Sequence, residues 1–137
     1  MERGKRILIM GLPGSGKTTL TEQVISLMGS DRVTWFNADR VREEYEDWDF
    51  SPEGRERQAK RMAQMSEVVA SGGTHVICDF VCPTDELREL FNADITIWVD
   101  TIEKGRYNDT NLLFQKPTKY DLRLTEWDFV NPYRVEH

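Results

Sequence analysis

The stretch Gly11-Leu12-Pro13-Gly14-Ser15-Gly16-Lys17-Thr18 satisfies the pattern G-x-x-x-x-G-K-[ST] at every fixed position, and no other feature restricts the chain as strongly. Glycines at these places let the backbone bend until successive N–H groups point at one anion. A helix that begins at the end of such a loop adds its positive N-terminal end. The pattern therefore demands a strand before it and a helix after it, and both are present. Ile7-Leu8-Ile9-Met10 is apolar on both faces and reads as a buried strand. Lys17 to Met28 suits a helix, with Gly29 as its stop. The loop implies a nucleoside triphosphate, ATP, with Mg²⁺. Gly11, Leu12, Pro13, Gly14, Ser15, Gly16, Lys17, Thr18 and Thr19 are the expected contacts. Lys17 is expected to reach the β- and γ-phosphates, and the Thr18 hydroxyl to face the metal.

The rest of the chain continues the alternation. Val33 to Phe36 reads as a second strand and Arg40 to Tyr45 as a short helix. Ser51 as N-cap, Pro52 at the first position and Glu53 in the first turn start a helix that runs to Val69 and stops at Gly72-Gly73. Val76-Ile77-Cys78 is a third strand. Pro83 to Phe91 holds a helix capped by Thr84 or Asp85. Ile95 to Val99 is a fourth strand, residues 101–119 read as a mobile segment, and Leu122 to Thr125 as a last short strand. Strands alternating with helices imply an α/β, three-layer P-loop fold with a central parallel sheet. Ligands bind such sheets at the carboxyl ends of the strands. Asp39, Asp79 and Asp100 follow the second, third and fourth strands there.

Length and charge narrow the partners. With 137 residues, the chain (1–137) is expected to be a single domain. A formal net charge of −6 disfavours binding along duplex nucleic acid, while leaving room for a local basic pocket. No apolar run is long enough to cross a bilayer, and the charged start Met1-Glu2-Arg3-Gly4-Lys5-Arg6 does not read as a signal peptide. Cys78 and Cys82 have no second pair, which excludes a disulfide framework and disfavours a four-ligand zinc site. A reducing cytoplasm is the expected home.

Two further segments carry a family resemblance. Phe36-Asn37-Ala38-Asp39-Arg40-Val41-Arg42 follows the second strand, and Phe50-Ser51-Pro52-Glu53-Gly54-Arg55 comes a few residues on. With the phosphate loop they resemble adenylylsulfate kinase, whose members carry D-G-D-x-[VI]-R and then G-F-S-x-x-x-R. Phe80-Val81-Cys82-Pro83 looks like that family's F-I-S-P. The resemblance covers roughly the first two-thirds of the chain and weakens after Val99. It implies that Asp39 lies near the metal and the acceptor hydroxyl. It implies that Arg42 and Arg55 grip the phosphosulfate of the acceptor, and that Phe50 stacks on its adenine. The residue types suit these tasks. A kinase uses a carboxylate to orient a hydroxyl and take its proton, guanidinium forks match anions, and an aromatic offers a stacking face. Read singly, each residue has a plainer role. Asp39 can cap the helix at 40–45, the arginines can pair with Glu43, Glu46 or Glu56, and Phe50 can be core.

The departures from the family pattern fall mostly on the acceptor side. Asn37 and Ala38 replace the first acid and the glycine of D-G-D, and Gln58 stands where the family has an acceptor-contacting asparagine. Cys82 replaces a serine. Asp79 adds a carboxylate, either a second metal-side acid or a structural hydrogen-bond acceptor. In the lid segment, about 101–119, Arg106 and Lys116 can close over phosphates, and Phe114 can be the second aromatic of an adenine sandwich. The plainer reading is a solvated loop whose Leu112, Leu113 and Phe114 pack on the body. Trp48 either walls the acceptor pocket or packs on the surface. The resemblance implies ATP-dependent phosphorylation of the 3′-hydroxyl of adenylylsulfate, a small anionic acceptor, by a protein that can be a homodimer. Two other readings stand beside it: a P-loop kinase of another small alcohol, nucleotide or nucleic-acid hydroxyl, and a non-catalytic ATP-binding regulatory module.

Overall fold

The order of elements follows from where apolar runs and caps fall. In a computed structural model that describes residues 2–102 and 113–126, β1 (Arg6–Met10) leads into α1 (Lys17–Met28). Then come β2 (Val33–Asn37), α2 (Ala38–Tyr45), α3 (Pro52–Ser71), β3 (His75–Asp79), α4 (Asp85–Phe91), β4 (Ile95–Val99) and β5 (Leu122–Leu124). The strands form one sheet in the order β2-β3-β1-β4-β5. Every pairing is parallel. The expected P-loop fold is the one observed.

Period-two alternation in the strands divides the interior into two layers. Leu8, Met10, Val76 and Cys78 face one way and pack with Val41 of α2, Ala59 and Met62 of α3, and Leu87 and Phe91 of α4. Ile7, Ile9, Ile77 and Val99 face the other way, onto Leu20, Val24, Ile25 and Met28 of α1. All five residues of β1 are buried, as expected for a strand covered on both faces. At the far end of the sheet from the phosphate loop, buried Arg6 donates to Ser66 Oγ and to the carbonyls of Phe91 and Asn92, at 2.8–2.9 Å. It thereby satisfies carbonyls that the end of α4 leaves open.

Local hydrogen bonds set the ends of α2 and α4 and the course of part of 101–119, the first and last differently from the sequence expectation and the second by one of the two caps expected. α2 begins at Ala38, two residues early, because Asn37 and not Asp39 is its N-cap: Asn37 Oδ1 accepts from Arg40 N–H at 3.2 Å. α4 is capped by Thr84, whose hydroxyl accepts from Leu87 N–H. Part of 101–119 is docked and not loose. Gln115 N–H donates to Pro83 O at 2.7 Å, Arg88 donates to Gln115 O at 2.6 Å, and Thr118 N–H reaches Asp85 Oδ1 at 3.3 Å. Arg106, with Lys104, Gly105 and Leu112, lies outside the described residues.

Candidate active site

Gly11–Thr18 wraps the start of α1 at the carboxyl end of β1. Gly16, the residue before the helix, has φ 103° and offers no side-chain cap, so the helix N-terminus presents bare backbone donors. Gly11 is required by crowding: a Cβ there would come within 2.5 Å of Val99 O. The loop is braced from β4's side by Thr101, whose hydroxyl donates to Ser15 O at 2.6 Å. Ser15 Oγ is fully buried in the loop with no protein partner. Lys17 Nζ arches back over the loop and donates to Leu12 O at 3.2 Å.

A cleft of about 660 Å³ opens directly from this loop. Its phosphate end is lined by Pro13, Gly14, Lys17, Thr18, Asn37 and Asp79. Its outer end is lined by Asp39, Arg42, Trp48, Phe50, Arg55 and Gln58. Residues from β1's loop, the ends of β2 and β3, and the starts of α2 and α3 therefore meet in one cavity. Leu12 does not line it. It faces a second cavity on the other flank of the loop, with Trp98, Asp100, Thr101, Phe114 and Lys116. Phe114 also packs against the interior and against the Arg88 guanidinium, 5.4 Å from its ring centre. Phe114 thus lines this second cavity, and not the cleft that Phe50 lines.

Asp79 is the residue that sequence reasoning placed least well. It is 2% exposed, at the end of the inner strand β3, opposite Asn37 in the register of β2 and β3. One carboxylate oxygen accepts from Asn37 Nδ2 at 3.0 Å and from the Thr18 hydroxyl at 3.3 Å. Burial pushes the Asp79 carboxyl above its ordinary value, while Lys17, Asn37 and Thr18 pull the other way. Trp35 Nε1 is buried nearby without a hydrogen-bond partner and adds a smaller stabilisation of that charge. The signal in the sequence was an acid ending an apolar strand, where α/β sheets collect ligand-binding groups.

The residues at the outer end of the cleft are built differently from a set of free side chains. Asp39 sits exposed in the first turn of α2, within the cleft. Arg42 is buried; its Nη1 donates to the carbonyls of Asp47 at 2.9 Å and Asp49 at 3.1 Å. Burial lowers the Arg42 guanidinium from its ordinary value. Phe50 is 48% exposed. Arg42 lies 4.2 Å and Arg55 5.4 Å from its ring centre, and Arg55 Nε donates to Phe50 O at 2.9 Å. Glu56 pairs instead with Lys60 at 2.8 Å, and Arg42 is held by backbone carbonyls rather than by Glu46. Gln58 is buried, with its amide donating to Ala38 O at 3.0 Å and accepting from Arg61. Cys82 is buried and held at φ 46°, and burial pushes its thiol up to about 12, so it is a packed and unreactive thiol. His75 accepts a backbone N–H from Lys5 through Nδ1, a structural bond.

Among the described residues no three His, Cys, Asp or Glu side chains gather into a protein-only metal cage. Mg²⁺ needs none: it keeps several waters and binds through one or two carboxylates plus substrate phosphates. The Thr18 hydroxyl with the Asp79 carboxylate behind it fits that donor chemistry. No described helix is long and apolar enough to cross a membrane.

Two sequence comparisons with known proteins point to one family. The family model described as adenylylsulphate kinase matches residues 3–122. A probable adenylyl-sulfate kinase from Aeropyrum pernix is 36% identical over 93 residues, covering 66% of this chain and 51% of that protein. The chain thus spans about half the length of this curated relative. An APS kinase of Mycobacterium tuberculosis, solved in complex with AMPPNP and APS, superposes with a TM-score of 0.80 at 22% identity, over 99% of this chain and 96% of the other. A hexameric APS kinase from Thiobacillus denitrificans superposes with a TM-score of 0.69 at 21% identity, over 89% of this chain and 25% of the other. These two likenesses bear on the fold. The sequence match over most of the chain bears on descent, and it places the protein in the adenylylsulfate kinase family.

Proposed function

We propose that the protein is an ATP-dependent adenylylsulfate kinase. The γ-phosphoryl group of ATP passes to the 3′-hydroxyl of adenylylsulfate, giving ADP and 3′-phosphoadenylylsulfate. The observation that carries this reading is the single cleft joining Lys17 and Thr18 to Asp39, Phe50 and Arg55. A phosphate donor and a stacked, anionic acceptor can meet in that space. The Mycobacterium tuberculosis relative, which binds AMPPNP together with APS, supports the same pairing of ligands.

The chemistry asked of the chain is positioning and charge neutralisation, because phosphoryl transfer runs through a loose transition state with charge spread over oxygens. The loop N–H groups and Lys17 hold the transferred phosphoryl oxygens. Asp39 orients the acceptor hydroxyl and takes its proton. Phe50 stacks on the acceptor base and Arg55 faces its anionic group. Arg42, already bonded to two carbonyls, shapes the pocket and lends positive potential. Thr18 and Asp79 are the side chains that would hold Mg²⁺, which supplies neutralisation of phosphate charge. A cytoplasmic role in sulfate assimilation, with homodimerisation, completes the proposal.

The deciding experiment incubates the protein with ATP–Mg²⁺ and a panel of acceptors, following ADP release. The panel holds adenylylsulfate, other nucleotides, sugar alcohols and a 5′-hydroxyl oligonucleotide. ADP release with adenylylsulfate alone is the expected result. Release with a different acceptor replaces the substrate, and ATP binding without turnover on any acceptor favours a regulatory module.

Asp79 offers a separate test. Asp79→Asn keeps the shape and one carbonyl acceptor but removes the charge. It is expected to weaken Mg²⁺-dependent ATP binding by about 10–100-fold, the usual effect of losing a group behind a metal ligand. The melting temperature without nucleotide is expected to stay level or rise, because a buried charge is costly to desolvate. Calorimetric titration of ATP with and without Mg²⁺ reads the first effect and a thermal melt the second. Unchanged Mg²⁺ dependence would leave Asp79 a purely structural acceptor.

A further inference from the structure

Residues 47–50 read Asp-Trp-Asp-Phe, and the structure divides them strictly. Trp48 and Phe50 line the cleft, 54% and 48% exposed, with ring centres 6.4 Å apart. Asp47 and Asp49 do not line it; both bind side chains of α3. Asp47 is the hub. Its carboxylate takes a two-point contact from Arg57, with Nε at 2.7 Å and Nη2 at 2.9 Å, and a third bond from Arg61 at 3.0 Å. The Asp47 side chain is 12% exposed. Arg57 continues to Asp49 Oδ2 at 3.2 Å, and Asp49 Oδ1 accepts from Ser51 N–H at 2.9 Å. From the other side Arg42 holds the carbonyls of both aspartates. Gly54 completes the fit: a Cβ there would stand 2.1 Å from Asp49 O, so the absence of a side chain lets the segment lie flat on α3. The two arginines hold the Asp47 carboxyl far below the usual carboxylate range, so it stays charged at any working pH.

A connection carrying two exposed aromatic rings has every reason to fluctuate, and a fluctuating loop binds its ligand weakly because ordering it is costly. Isolated surface ion pairs do little against this, but a forked arginine contact inside a network is the exception. We infer that Asp47 is a positioning residue: bridged to Arg57 and Arg61, it holds Trp48 and Phe50 in place to receive a flat ring system at the outer end of the cleft. The inference rests on the acceptor assignment above only for the identity of the ligand. The bracing itself belongs to the free protein.

The test has two arms on the full chain. In the first, Asp47→Asn and, separately, Arg57→Gln are assayed with ATP–Mg²⁺ and adenylylsulfate. The expected result is a rise of about tenfold in the KM for adenylylsulfate, the size of one lost charge-assisted bond. The kcat and the KM for ATP are expected to stay within about twofold, since neither residue faces the phosphate end. In the second arm, amide hydrogen exchange of residues 46–51 is followed without any ligand. It is expected to quicken in both variants, with exchange in β1 and β3 unchanged. An unaltered acceptor KM overturns the inference, as does a proportional loss in kcat and in both KM values. If the wild-type protein does not turn over adenylylsulfate, the acceptor assignment fails on its own. The exchange arm then decides the bracing: faster exchange at 46–51 supports it and equal exchange overturns it.

Discussion

Lys17→Ala is expected to reduce ADP formation by at least about 10²–10³-fold, the usual loss when one preorganised charge-stabilising group is removed from a reacting centre. The side chain spans the loop, with Nζ donating to Leu12 O at 3.2 Å, and it lines the cleft. It belongs to neither apolar layer, so its truncation leaves no cavity and the fold persists. One internal consequence follows from the geometry. Lys17 also stabilises the charge on buried Asp79; with the cation gone, that carboxylate relies on the Asn37 and Thr18 bonds and on the smaller stabilisation from Trp35. The nucleotide-free variant is therefore expected to melt slightly below wild type. An ADP-release assay and a thermal melt check the two effects. Turnover at the wild-type rate would show that the loop does not hold the transferred phosphate.

The phosphate loop was legible because its information is local. Eight consecutive residues encode the bend, the donors, the cation and the hydroxyl, and the flanking strand and helix carry their own periodicity. The sheet was legible for a similar reason: strands buried on both faces, such as β1, show as unbroken apolar runs. The bond between Asp79 and Thr18 was not. It depends on the register that sets Asn37 opposite Asp79, and on a strand crossover that no local pattern states. The partners of Arg42 were hidden for a different reason. They are the carbonyls of Asp47 and Asp49, and a backbone acceptor leaves no mark on residue identity. Sequence spacing suggested an acidic partner at Glu46, four residues on, as helix geometry would allow. The chain turns after α2 instead and brings its own backbone under the guanidinium. Phe114 shows a third limit. An aromatic in such a segment reads equally as stacking face or core, and its place against the core layer is a product of packing.

Asp39→Asn is expected to lower turnover by about 10²–10⁴-fold, the range of general-base assistance, while ATP–Mg²⁺ still binds. The structure makes this substitution a cleaner probe than sequence alone allowed. α2 is capped by Asn37, whose side chain accepts from Arg40 N–H, so altering Asp39 leaves the cap untouched. Asp39 is exposed in the first turn. There its charge interacts favourably with the helix N-terminus by about 0.3–1 kcal/mol, and only that small stabilisation is lost in the amide. Asn also preserves the side chain's size, so the cleft keeps its shape. What disappears is the negative charge and the capacity to accept a proton in the cavity that Lys17 and Arg42 also line. A large fall in kcat with a nearly constant KM for ATP and a melting temperature within a few degrees would mark loss at the reacting centre. Asp39→Glu, which restores the carboxylate at a displaced position, is expected to recover part of the rate. A variant with Asn at 39 that turned over at the wild-type rate would remove Asp39 from the reaction, and the buried carboxylate of Asp79 would be the remaining acid among the residues lining the cleft to test.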